Sequence, residues 1–140
     1  MGARMRKREK RRVRVKALTM EQKAAIAVAC ERFIDEMLKP RFLSEVRPTQ
    51  FNYPIEIFGK WRGSKYSFMT RYRSGFLDNI GEEFDSPFAR LDHVEECLTE
   101  TRFDVKWRRH TGQWWRLHAS VRLEEALQLL RTESLLQPHT

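Results

Sequence analysis

Phe103, Val105 and Trp107 alternate with Asp104, Lys106 and Arg108, the two-residue period of a half-buried strand. His110-Thr111-Gly112 supplies a turn, and Trp114, Trp115 and Leu117 run back as a second strand. This hairpin holds three of the four tryptophans, and Trp107 and Trp114 are expected to face the core from neighbouring strands. Upstream, Tyr53 to Trp61 reads as a strand and Arg62-Gly63-Ser64 as a turn. Lys65 to Arg73 then returns, with Tyr66, Phe68, Thr70 and Tyr72 on alternate positions. Pro87 to Val94 reads as a further short strand.

Helical spacing appears at both ends of this strand region. Thr19 opens a helix with the S/T-x-x-Q spacing of a capping box, and Ile26, Cys30, Phe33 and Met37 mark its apolar stripe. Pro40 should end that helix or sit just past its end. Ser120 can cap a final helix with Leu123, Ala126, Leu127 and Leu130 as its stripe, ending near Ser134 and followed by a tail from Leu136. The pattern predicts an α+β fold: an N-terminal helix, an antiparallel meander of about five strands and a C-terminal helix. Residues 17–140 form a single domain in this reading.

Charge adds an arm to the picture. Arg4, Arg6, Lys7, Arg8, Lys10, Arg11, Arg12, Arg14 and Lys16 face only Glu9, so residues 1–16 hold the whole net charge of +8. The remaining 18 bases and 18 acids balance. So dense a like-charged block is expected to be disordered when unbound and to act as an electrostatic anchor on nucleic acid. It lacks the apolar face of an interfacial helix, which argues against a membrane. Its plainer readings are a solubilising tail or an over-extended gene start, since Met5 and Met20 could each begin the chain. Apolar residues make up 41% and charged residues 33% of a globular composition, with no run near the roughly 20 residues of a membrane span. Glu21 and Lys23 interrupt any signal-peptide apolar region. Cys30 and Cys97 are too few and too far apart for a disulfide framework, and a reducing cytoplasm is the expected location.

Pro87-Phe88-Ala89-Arg90-Leu91-Asp92-His93-Val94, then the W-x4-G-x-W run from Trp107 to Trp114, then a helix led by Leu123-Glu124-Glu125, resemble a small bacterial family catalogued as a domain of unknown function. The resemblance covers the last third of the chain and leaves Tyr53 to Phe84 outside it. It implies a helix, meander, helix layout and no activity.

Four constellations could carry chemistry. Basic residues interleave with aromatics on both hairpins: Trp61-Arg62, Lys65-Tyr66, Arg71-Tyr72-Arg73, Lys106-Trp107-Arg108-Arg109 and Trp115-Arg116. Lys and Arg neutralise phosphates while exposed rings stack on bases, and a sheet covered by helices on one face leaves the other free. The candidate nucleic-acid residues are therefore the arm cations, Trp61, Arg62, Lys65, Arg71, Arg73 and Trp115. The plainer alternative puts the rings in the core under arginine stems. Asp104-Val105-Lys106 has a D-x-K form with Asp92 one strand earlier, which a metal-dependent nuclease could use. The acidic run Asp78 to Asp85 lacks EF-hand spacing and reads as a solvated loop or a counterweight to the basic arm. His93 and Cys97 have H-x3-C spacing with no further ligands at defined positions. The expectation is a non-enzymatic protein without metal or cofactor that binds RNA or another single strand. A protein-interaction adaptor is the alternative, and the nuclease is third.

Overall fold

The structure, a computed structural model, describes residues 15–138. Helix α1 (Met20–Phe33) starts at the expected capping box: Gln22 N–H donates to Thr19 Oγ1 at 3.1 Å and Thr19 N–H donates to Gln22 Oε1 at 2.9 Å. Its buried residues Ile26 and Cys30 are continued by Ile34 and Leu38 of the next turn, so Met37 gives up its expected place to them. Pro40 does not stop the helix. A π turn, Ile34–Leu38, intervenes, with Lys39 N–H donating to Ile34 O, and α2 (Lys39–Phe42) then carries Pro40 in its first turn. The wide turn removes the register in which the proline ring would strike a carbonyl four residues back.

Five strands follow: β1 (Asn52–Arg62), β2 (Lys65–Ser74), β3 (Glu83–His93), β4 (Phe103–Arg108) and β5 (Trp114–Val121). They form one antiparallel sheet in chain order. The acidic segment that reads as a loop becomes strand from Glu83 onward, paired with β2. Helix α3 (Leu123–Thr132) begins after Arg122, with no cap from Ser120. Ser120 instead lies in β5 at φ 52°, and its N–H donates to Asp104 Oδ1 at 2.9 Å. Leu136 and Gln137 do not form a free tail. Both are buried, and Gln137 Nε2 donates to the C-terminal carbonyls of α3 at Leu130 and Arg131.

The core lies between one face of the sheet and the helices. Ile57, Tyr66, Phe68, Leu91, Phe103 and Val105 of the sheet pack against Ile26, Cys30, Ile34 and Leu38, with Ala126, Leu130 and Leu136 from the C-terminal elements. Burial in this layer pushes the Cys30 thiol up to about 12, as its place on the apolar stripe implies. Trp61 joins the same side: its Nε1 donates to Lys23 O of α1 at 3.1 Å, and its ring meets Tyr66 edge-on.

Candidate functional site

Strand alternation sends the neighbours of these core residues to the opposite, helix-free face. On β2 the outward positions are Lys65, Ser67, Met69, Arg71 and Arg73, interleaved with buried Tyr66, Phe68 and Thr70. The register continues the face onto β1 at Arg62 opposite Lys65 and Lys60 opposite Ser67, and onto β3 at Asp92 opposite Lys65 and Arg90 opposite Ser67. The β1–β2 connection is two residues, Gly63-Ser64, with Gly63 at φ 59°. A side chain is strained at that φ, so the tight turn that sets Arg62 against Lys65 depends on the glycine.

A depression of about 270 Å³ lies on this face. Lys60, Arg62 and Lys65 line it, with the Ser67 hydroxyl, Met69 and Pro87. Arg90 and Trp114 complete the lining, the guanidinium 4.5 Å from the indole centroid. Arg90 is also fixed from the side by Asp92, with Nε to Oδ1 at 2.6 Å and Nη2 to Oδ2 at 3.0 Å, and Lys106 Nζ reaches the same carboxylate at 2.9 Å. Burial alone would raise the Asp92 carboxyl, but the hydrogen bonds from Arg90 and Lys106 outweigh it and hold its pKa below the ordinary value.

Most cations elsewhere on the face have carboxylate partners, although Arg90 and Lys106 share the single charge of Asp92 and Arg108, opposite Trp114, has none. Arg71 pairs with Asp85 at 2.8 Å and Arg73 with Glu83 at 3.0 Å, each from directly opposite strand positions. Arg116 Nη1 lies 3.7 Å from Asp104. Two acids of the segment, Glu83 and Asp85, thus balance cations of the sheet and not the arm. Among the described residues Lys60, Arg62 and Lys65 have no ion-pair partner, and all three border the depression.

The residues expected to bind nucleic acid therefore separate into groups. Arg62 and Lys65 come together, joined by Lys60, Arg90 and Trp114. Arg71 and Arg73 share the face but are engaged by carboxylates. Trp61 lies on the helix side, anchored to α1. Trp115, 49% exposed, is also on that side, opposite Trp107 and with Arg109 5.0 Å from its centroid. Trp114, expected in the core with Trp107, stands on the outer face; Trp107 alone packs against the core. Arg4 through Arg14 of the arm lie outside the described residues, and Lys16 donates its N–H to Glu95 O at 2.7 Å. Alternation was the signal for the reassignment, because consecutive strand residues such as Trp61 and Arg62 cannot serve one ligand from one face.

Asp92 and Asp104 are cross-strand partners, so the D-x-K residues do come close. Their carboxylates are occupied, however, by Arg90 and Lys106 in one case and by Ser120 N–H and Arg116 in the other. No group of three or more His, Cys, Asp or Glu residues is placed to hold a metal among the described residues. No helix among them is long and apolar enough to cross a membrane.

A protein-family model, described as a domain of unknown function (DUF3024), matches residues 17–136. The match takes in the first hairpin and the N-terminal helix, and so corrects the expectation that the likeness stops at the last third. No curated protein and no solved structure matches the chain.

Proposed function

We propose that this chain, which belongs to that family of unknown function over residues 17–136, is a non-enzymatic module that binds single-stranded nucleic acid, RNA before duplex DNA. The carrying observation is the cluster of unpaired Lys60, Arg62 and Lys65 beside Trp114 on the helix-free face. Free cations attract phosphates, and a ring at the edge of the depression offers a platform for an unstacked base. A stacked duplex hides its base faces from such a ring, which favours the single strand. The basic arm supplies a second, sequence-indifferent attraction.

The test is a titration of the full chain with a labelled unstructured RNA, a single-stranded DNA and a duplex of equal length. Replacing Lys60, Arg62 and Lys65 together by alanine should weaken single-strand binding at least tenfold. Unchanged affinity would move the interface elsewhere, and no binding to any of the three at low salt would remove nucleic acid from the reading.

The opposite end of the sheet favours a second reading, a protein-interaction module. Leu77 is 93% and Ile80 68% exposed in the β2–β3 connection, and Phe51, Phe76 and Phe84 stand exposed beside or near them. The cluster has acidic neighbours in Asp78 and Glu82, which would complement a partner with basic and apolar side chains.

A further inference from the structure

We infer that the depression between Lys60, Arg62, Lys65, Arg90 and Trp114 is a site for a terminal phosphomonoester, the phosphorylated end of a single strand or a free nucleoside monophosphate. The inference rests on the reading of the outer face as a single-strand binding surface and deepens it.

The distribution of free charge carries the argument. A surface that tracks an internal stretch of nucleic acid needs cations spaced along a path, because each backbone diester brings one negative charge. Away from the hairpin, most cations of the outer face are already held by carboxylates. Leaving the β1–β2 hairpin across the sheet, the cations met are Arg90 and Lys106, both bound to Asp92, and then Arg116, beside Asp104. Along β2 away from the hairpin they are Arg71 and Arg73, bound to Asp85 and Glu83. Arg108 also lacks an ion-pair partner, but it belongs to the other hairpin and does not line the depression.

Free positive charge is densest in one spot. Arg62 and Lys65 are direct cross-strand partners, and Lys60 is the next outward residue on β1. Three uncompensated cations around one small depression exceed what a single diester can neutralise. A phosphomonoester carries about −1.5 to −2 at neutral pH and offers three acceptor oxygens. Arginine and lysine are suited to those oxygens, and the Ser67 hydroxyl adds a donor.

The remaining walls fit the other half of such a ligand. Trp114, Met69 and Pro87 are apolar, and Arg90 is held rigid by Asp92 and the indole, so it presents a fixed plane beside them. At about 270 Å³ the depression lies below the usual lower bound for small-molecule sites and accommodates about one nucleotide rather than several.

The experiment uses the full chain and one RNA sequence in three forms, with a 5′-phosphate, with a 3′-phosphate and with hydroxyls at both ends. The arm meets the same strand each time, so its attraction largely cancels. One phosphorylated form should bind at least tenfold more tightly than the hydroxyl form and identify the end recognised. A nucleoside 5′-monophosphate should compete for that form, whereas the nucleoside should not. Lys60→Ala, Arg62→Ala and Lys65→Ala together should reduce the preference to about onefold, and each alone should reduce it partly. These residues lie at an exposed turn, and an unchanged thermal midpoint would exclude unfolding as the cause. Equal affinity for all three RNA forms would overturn end recognition while leaving single-strand binding standing. Failure of every form to bind would overturn both.

Discussion

Tyr66 buries a hydroxyl for which the described residues provide no hydrogen-bond partner, on a side chain that is 1% exposed. Burial first, with the neighbouring Cys30 and Glu31 adding to it, raises its pKa, so the phenol stays neutral in the fold. An unsatisfied buried donor costs stability, and Tyr66→Phe should therefore raise the unfolding free energy by up to about 1 kcal/mol in a urea titration. A loss of more than about 1 kcal/mol would reveal a partner for the hydroxyl. Room for the ring comes from Gly59, where an added Cβ would fall 1.9 Å from Tyr66 Oη and 2.3 Å from Cζ. A core ring cannot swing aside, so Gly59→Ala should cost about 1–3 kcal/mol in the same titration. His93 is a second uncompensated group, 8% exposed with Nδ1 unpartnered and its ring edge-on to Phe103. Burial lowers its pKa below 6.5 despite the opposing pull of Glu95 and Glu96. The unfolded chain then binds the proton more readily, so the contribution of His93 is intact above pH 6.5 and is lost as pH falls through the folded value. His93→Phe should flatten the decline in stability between pH 6.5 and the lower folded pKa; an unchanged slope would place that decline on other groups.

The tryptophan hairpin separates what was legible at the level of elements from what was not. Its strands and Gly112 turn follow from period and turn chemistry, and Gly112 does take a positive φ of 86°. The facing of Trp114 did not follow, because the five-residue connection from Arg109 to Gln113 places Trp114 opposite Arg108 and Trp115 opposite Trp107. Which of two adjacent tryptophans turns inward depends on loop length, and a one-residue change reverses it. Trp107→Ala should accordingly cost about 2–4 kcal/mol, and Trp114→Ala less than about 1 kcal/mol, by chemical denaturation. The reverse order would reverse the sheet faces. Helix α1 shows the same limit: its existence and capping were legible, whereas the π turn that admits Pro40 and brings Leu38 inward depends on fitting the whole segment to the sheet. The candidate site was partly legible, since the basic hairpin is plain in sequence. Compensation of Arg71 and Arg73 by Asp85 and Glu83 required the β2–β3 register, which no local pattern contains.

Across the whole molecule, charge divides into a basic arm and a balanced body whose outer face carries its densest free charge at the β1–β2 hairpin. The two positive regions should leave different signatures on a polyanion. Residues 1–14 hold eight bases and one acid, and attraction from such a block is governed by counterion release. If the arm brings about five cations onto a single strand, the slope of log affinity against log salt gains about −3.5. A chain beginning at Val15 keeps the Lys16 backbone contact with Glu95 and all of the hairpin cations. It should bind a single-stranded oligonucleotide more weakly at low salt, with most of that slope gone. Its residual binding should retain the contribution of the hairpin and fall further with Trp114→Ala, because base stacking contributes about 1–3 kcal/mol and responds little to salt. Titrations of both chains across one salt series measure these terms separately. Equal slopes would show that the arm does not contact phosphates. A truncated chain insensitive to Trp114 would show that the ring supports Arg90 and stacks on no base.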